Sequence, residues 1–283
     1  MRIVQISDLH IGGLFKQDSF DRLVDEINID LQPDVIIVSG DLTDDGLIFQ
    51  FEQARQELQR FVCPKMIVFP GNHDYRHTGY LLFEKYFPSS TISNQVYESG
   101  NNNQINKPDV DVVLITVGTA VPDRDDGEVG YRQNLWLNDS LIKYNHKSQN
   151  RHHRTTKIVA MHHHLISVPD TGYTNVVGIS DAGDVLRTCL ENEVDLVVCG
   201  HKHRPWIWRL GNMKIAYAGT ACSWRYRGIF KDTYNIIDIN ENNEINVDMK
   251  VVGESRIPLS EVVRRYEPEE KRTDLSKVIT SIR

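Results

Sequence analysis

An α/β protein built in layers is expected from these 283 residues on three grounds. Short β-branched runs alternate with stretches of helical apolar spacing along most of the chain. The runs are apolar almost throughout, as strands covered on both faces are. Beyond residue 204 the pattern turns strand-rich, which fits parallel strands followed by antiparallel hairpins.

In order, strands are expected at 2–7 (RIVQIS), 34–39 (DVIIVS), 65–69 (KMIVF), 111–117 (DVVLITV), 157–161 (KIVAM) and 194–199 (VDLVVC). Later ones fall at 206–210, 214–218, 233–239 and 244–251. Helices are expected at 19–31, 48–61, 135–143 and 182–192. In the first, Phe20, Leu23, Val24, Ile27 and Leu31 recur at three- and four-residue spacing and make one apolar face. The polar stretches 98–108 and 145–156 read as exposed loops. From about residue 255 the chain is charged without a strong apolar face, and a docked helix and a loose tail both remain open.

Composition narrows the class. A 40% hydrophobic content and a mean hydropathy of −0.40 exclude wholesale disorder. No apolar run reaches the roughly 18 residues of a membrane span. Lys and Arg number 32 against 39 Asp and Glu, a net charge of −7 that argues against a general basic coat for nucleic acid. Cys63, Cys189, Cys199 and Cys222 are scattered without a CxxC pair, and Cys63 and Cys199, beside or within apolar runs, suit small buried hydrophobes better than a disulfide frame. Met1 leads straight into RIVQIS with no separate apolar stretch and cleavage site, so a cytoplasmic address is expected.

The informative residues stand where the strands stop. RIVQIS runs into Asp8-Leu9-His10, DVIIVS into Gly40-Asp41, KMIVF into Pro70-Gly71-Asn72-His73-Asp74, KIVAM into His162-His163-His164, and VDLVVC into Gly200-His201-Lys202-His203. Ligands of open α/β sheets bind outside the carboxyl ends of the strands, so five strands deliver carboxylate, imidazole and amide oxygen to one rim. That donor mixture suits first-row metals such as Mn, Fe, Zn or Co, and the lack of a thiolate excludes a zinc ribbon. Residues at i and i+2 share a side of an extended segment, so Asp8 with His10, and His201 with His203, are each expected to converge.

Single residues also have simpler roles open to them. Asp8, Asp41 and Asn72 each sit where a turn or cap would also favour them. His163 and His164 read as solvated imidazoles, and His77, His146, His152 and His153 as solvated loop. Gly12-Gly13 lacks the GxGxxG spacing of a dinucleotide site. Trp206 and Trp208 are expected to pack one sheet face. Trp224-Arg225-Tyr226-Arg227 mixes aromatics and arginines as a nucleotide subsite would, but reads first as an amphipathic loop.

The order DxH, GD, GNHD, HH and GHxH resembles the calcineurin-like metallophosphoesterase superfamily, with all five motifs intact between Asp8 and His203. The resemblance implies an α-β-β-α sandwich of two mixed sheets with flanking helices, a catalytic domain over residues 1–254 and a charged segment at 255–283. It implies two divalent or trivalent metal ions (Mn, Fe or Zn), one held by Asp8, His10 and His203 and the other by Asn72, His162 and His201, with Asp41 bridging. Hydroxide shared by the metals would attack phosphorus directly, and His73, not a ligand in the family, would donate to the phosphate or the leaving oxygen. Asp44 occupies a frequent acidic position of the family motif, and Asp74 would orient His73 or another imidazole.

Within the superfamily, the compact length and HHH-type run look most like the class III cyclic nucleotide phosphodiesterases of bacteria, although Leu165 stands where proline is usual. A small phosphodiester or nucleotide is the implied substrate, its choice set by loops at 75–93 and 165–180, and a homodimer is compatible with the pattern. A nuclease of the repair-exonuclease branch is disfavoured by the net charge. A non-catalytic module of the retromer type would have lost site residues that are all present here. The GDxxDRG extension of the protein phosphatases is absent.

Overall fold

A computed structural model describes residues 1–88, 96–99, 111–149, 154–168, 178–227 and 229–266. Its elements are β1 (Arg2–Ile6), α1 (Gln17–Asp25), which runs on as π-helix through Glu26–Leu31, β2 (Val35–Ser39), α2 (Ile48–Leu58), β3 (Lys65–Phe69), α3 (Gly79–Tyr86), β4 (Val96–Glu98) and β5 (Val112–Thr116). There follow α4 (Tyr131–Gln149), β6 (Thr156–Ala160), α5 (Ala182–Glu191), β7 (Leu196–Cys199), β8 (Trp206–Leu210), β9 (Met213–Tyr217), β10 (Thr233–Ile239), β11 (Ile245–Val251), β12 (Arg256–Pro258) and α6 (Leu259–Tyr266).

The described strands form two mixed sheets, ordered β12-β11-β10-β1-β2-β3 and β4-β5-β6-β7-β9-β8. In the first, β1, β2 and β3 run parallel, with Ile3 opposite Val35 and Val35 opposite Lys65, while β10 lies antiparallel to β1. In the second, β5, β6, β7 and β9 run parallel between antiparallel edges.

Side-chain alternation along each strand builds the layers. Val4, Ile6, Ile36 and Val38 point outward onto Phe20 and Leu23 of α1, Phe51 of α2 and Phe83 of α3. Ile3, Val35 and Ile37 point inward and meet Leu114, Ile158, Leu196 and Val198 of the second sheet. The far faces of those strands, through Val113, Ile115, Val159 and Val197, cover Leu137 and Leu141 of α4 and Val185 and Cys189 of α5. The result is an α-β-β-α sandwich. Both faces of β1, β2, β5, β6 and β7 are covered, which is why those runs are apolar without alternation.

Several expectations change in detail. The late strands do not extend one sheet: β8 and β9 close the second, whereas β10, β11 and β12 add to the first beside β1. Part of the 75–93 stretch expected as loop is α3, whose Phe83 is fully buried. Residues 145–149 belong to α4, while 100–110, 150–153 (with His152 and His153) and 169–177 lie outside the described residues. Beyond residue 254 the chain continues as β12 and α6, whose Leu259 and Val262 are buried in the inter-sheet layer. Trp206 and Trp208 do share a face, their rings 5.7 Å apart against the α4–α5 layer. All four cysteines are free, and all but Cys63 are buried. Among the described residues no helix is long and apolar enough to cross a membrane.

Candidate metal centre

The carboxyl ends of β1, β2, β3, β6 and β7 face one another across the top of both sheets. The segment after β1 runs beside the one after β2, with the Asp8 amide donating to Gly40 O (3.1 Å) and the His10 amide to Asp41 O (3.0 Å). Asp8, His10, Asp41, His201 and His203 all have positive φ, between 48° and 71°. Such non-glycine residues cost on the order of 1–3 kcal/mol each, and Asp and His tolerate the region better than most. This corrects the expected basis of convergence. Left-handed turns, rather than the alternation of an extended strand, swing these side chains inward.

Two donor groups result. Asp8, His10, Asp41 and His203 offer ligand atoms all within 4.8 Å of one another. His10 Nε2 lies 3.0 Å from His203 Nε2 and 3.7 Å from Asp41 Oδ2, and His203 Nε2 lies 3.2 Å from Asp8 Oδ1. In the other group, Asn72 Oδ1 lies 3.2 Å from His162 Nε2 and 3.0 Å from His201 Nδ1. Asp41 Oδ1 is 3.4 Å from His162 Nε2, so the two oxygens of Asp41 face the two groups. Asp41 therefore stands between the two groups. Asn72 Nδ2 donates to Asp125 (3.3 Å), which turns the amide oxygen inward.

Glycines let these loops approach. A Cβ on Gly200 would overlap Ser7 Oγ and come within 2.8 Å of Asp8 Oδ2. One on Gly71 would overlap Asp41 Oδ1 and lie 2.5 Å from the Asp41 amide nitrogen.

The donor set fits two cations. His162 Nδ1 donates to Ser39 O (2.8 Å), His203 Nδ1 donates to Arg225 O, and His10 Nδ1 faces Asp44 Oδ1 at 3.5 Å. The outer nitrogens of His162 and His203 thus have oxygen acceptors, while His10 Nδ1 makes no hydrogen bond and only faces a carboxylate; rings held from the outer nitrogen leave Nε2 as the atom that can bind a metal. Nearly all of this is buried: Asp8, His10 and His162 are inaccessible and Asp41 is 1% exposed. Lone pairs and carboxylates packed so closely without solvent call for positive charge.

The electrostatics agree. Burial alone would raise the Asp41 carboxyl, but His162, His73 and His10 around it hold it well below the usual range. Asp8, likewise desolvated, is kept low by His203 and His162. Burial opposes protonation of His162, yet Asp41 and Asp8 draw its pKa up to about 9. Burial pushes His10 down to about 4 and His201 well below its ordinary value. Asp8 and Asp41 are thus held ionised at the centre, while burial disfavours a proton on His10 and His201.

The supporting residues depart from expectation. Asp74 does not orient an imidazole. Its carboxylate accepts the amides of Leu42 (3.1 Å), Thr43 (2.8 Å) and Gly71 (2.9 Å) and the Thr43 hydroxyl (2.8 Å), pinning the loop after β2 to the loop after β3. Burial and the nearby Asp41 raise its carboxyl to about 6. Asp44 contacts His10 through its carboxylate, and its backbone oxygen accepts His73 Nδ1 at 2.6 Å. His10 and Arg225 bring the Asp44 carboxyl down to about 2. The His73 amide donates to Asp41 Oδ1 (2.9 Å), and its ring packs edge-on to His10, 4.5 Å between centroids.

His163 and His164 are buried, not solvated: His163 Nδ1 pairs with Thr119 Oγ1 at 2.8 Å, and the His164 ring stacks on His201. His77 is exposed as expected. The residue whose place the sequence does not reveal is Arg225, whose Nη2 donates to Asp44 Oδ1 at 2.6 Å. The aromatic–basic alternation at 224–227 is the one signal that could have raised it.

Comparison with known proteins agrees with this geometry. A probable cyclic nucleotide phosphodiesterase of Xenorhabdus bovienii is 25% identical over 234 residues, covering 78% of this chain and 84% of the relative. A probable glycerophosphodiester phosphodiesterase, GpdQ, of Arcobacter nitrofigilis is 26% identical over 217 residues, covering 72% of each. Among solved structures, GAP50, the anchor in the inner membrane complex of Plasmodium, shares the fold with a TM-score of 0.62 at 14% identity, over 91% of this chain and 88% of its own. The model of the calcineurin-like phosphoesterase family matches residues 1–205, a stretch that carries every strand end of the donor set, and the chain belongs to that family.

Proposed function

We propose that the protein is a phosphodiesterase that hydrolyses a cyclic nucleotide or another small phosphodiester with two bound metal ions. The observation that carries this reading is Asp41 standing between two donor groups with the His73 ring beside them. Asp8, His10 and His203 would hold one ion and Asn72, His162 and His201 the other, with Asp41 shared. Mn, Fe or Zn bound there would activate water as Lewis acids and neutralise the charge that grows on the phosphoryl oxygens.

The protein's own part is orientation and proton transfer. His73 Nδ1 points at a carbonyl oxygen, an acceptor only, so it keeps its proton. Proton exchange then falls to Nε2, which in the imidazolium form gives its proton to the departing ester oxygen. Asp74 keeps the loops that carry Asp41 and Asn72 in one register. The names of the two bacterial relatives, both phosphodiesterases, support a diester over a monoester.

The test compares wild type, Asp41→Ala and His73→Ala, each reconstituted with Mn²⁺, on bis-p-nitrophenyl phosphate and on p-nitrophenyl phosphate, with bound metal measured on the same samples. The reading expects diester turnover that disappears together with metal in Asp41→Ala, and falls with metal retained in His73→Ala. Metal-loaded wild type that turns over neither ester would overturn it.

A further inference from the structure

The segment that closes the centre from the C-terminal side lies beyond the stretch matched by the family model. It is tied down on the N-terminal side of Arg225. Phe15 and Ser223 form an antiparallel bridge, the Trp224 amide donates to Leu14 O (3.0 Å), and the Lys16 amide donates to Cys222 O (2.9 Å). Between these ties and β10, Arg225 contacts His203 of the donor set and Asp44 beside it. Its backbone oxygen accepts His203 Nδ1, and its Nη2 donates to Asp44 Oδ1. Asp44 in turn faces His10 Nδ1 with the same Oδ1 and accepts His73 Nδ1 on its backbone oxygen. One residue therefore reaches two imidazoles of the first donor group and the histidine that stands next to them.

We infer that Arg225 is a positioning residue, a clasp that holds Asp44 in place and through it sets the rings of His10 and His73, while its backbone oxygen sets His203. This rests on the two-metal reading above. The guanidinium acts through Asp44. With Arg225 gone, Asp44 has one fewer partner and can turn from His10, whose Nδ1 then loses the carboxylate oxygen that it faces at 3.5 Å. Arginine suits the task because its planar fork is always charged and loses little freedom on pairing. The backbone half of the clasp survives substitution, so the side chain can be tested separately.

The experiment uses Arg225→Met, which keeps the stem and drops the charge, together with Arg225→Lys, Asp44→Asn and Arg225→Met combined with Asp44→Asn. Calorimetric titration of the metal-free proteins with Mn²⁺ and steady-state kinetics on bis-p-nitrophenyl phosphate are read side by side. A clasp predicts Mn²⁺ affinity and kcat each lower by about 10- to 100-fold in Arg225→Met, with KM changed little and with partial recovery in Arg225→Lys. It also predicts that the double variant is no worse than the poorer single one, since both break the same chain of contacts. A raised KM at unchanged kcat and Mn²⁺ affinity, or losses that add in the double variant, would make Arg225 a substrate contact and overturn the proposal. Should Arg225→Met fail to fold, Arg225→Lys and Asp44→Asn carry the same comparison. Wild type without turnover would sink the enzymatic reading, while the Mn²⁺ titrations would still decide whether the clasp exists.

Discussion

His10 and His203 turn their Nε2 atoms toward each other at a separation of 3.0 Å, with the outer nitrogen of each ring facing an oxygen. Two lone pairs so placed repel unless a proton or a cation lies between them. Metal should therefore stabilise the fold strongly. At a hundredfold excess over its dissociation constant a ligand adds about 2.7 kcal/mol, or about 5 °C in a protein of this size. Thermal melts with and without Mn²⁺ should show that rise in wild type and lose most of it in His10→Ala and His203→Ala. An equal rise in the variants would place the ion elsewhere.

Gly200 is where the second sheet touches the β1 loop. In Gly200→Ala the new methyl meets Ser7 and Asp8, so the Asp8 carboxylate must shift. The expected result is a destabilisation of about 1–3 kcal/mol, together with Mn²⁺ binding that falls more than stability does. Denaturant melts and Mn²⁺ titration of the same sample separate the two effects, and unchanged Mn²⁺ binding would show that Asp8 does not need this exact placement.

Asp74 is satisfied by three amides and a hydroxyl, all buried. Asp74→Ala leaves those donors without acceptors, at a cost of about 3 kcal/mol or more in the metal-free protein. Urea unfolding of metal-free wild type and variant checks this. A loss below about 1 kcal/mol would mean that water replaces the carboxylate.

At the opposite end of the first sheet, Asp238 accepts Arg2 Nε (2.8 Å) and Arg256 Nη1 (3.1 Å), joining β10 to β1 and β12. Burial works against its ionisation, but the two arginines bring its pKa below the ordinary carboxylate value. Its contribution is thus complete above the unfolded pKa of about 3.9 and disappears as pH falls through the lower folded value. With the pair a third exposed, the effect stays under about 1 kcal/mol. Stability curves of Asp238→Asn and wild type should differ at neutral pH and converge in acid; a constant gap would contradict the assignment.

Much of this could be read from residue order. Runs such as DVIIVS are apolar because helices and a second sheet cover both faces, and metal-competent side chains seldom gather at five strand ends for any purpose but holding metal. Other features depend on partners distant in sequence. Nothing local tells β9 to pair with β7 while β10 pairs with β1. The left-handed backbone of Asp8, His10, Asp41, His201 and His203 arises from contacts between loops, which the i, i+2 spacing imitates for a different reason. Arg225 acquires its place only when residues 14–16 and 222–224 come together. Asp74 looks like a partner for the adjacent His73 in sequence, yet the fold presents it with backbone amides instead.

The donor set is divided between the two sheets. Asp8, His10, Asp41 and Asn72 follow strands of the first, and His162, His201 and His203 follow strands of the second. Beneath them the Gln5 side chain spans the same seam by donating to Ser39 Oγ and to Cys199 O. Ions bound between the groups would act as a rivet between two halves whose seam is otherwise mostly apolar. The loaded protein should then open as one cooperative unit, whereas in the stripped protein amides of β6 and β7 can exchange with deuterium without waiting for β1 and β2 to open.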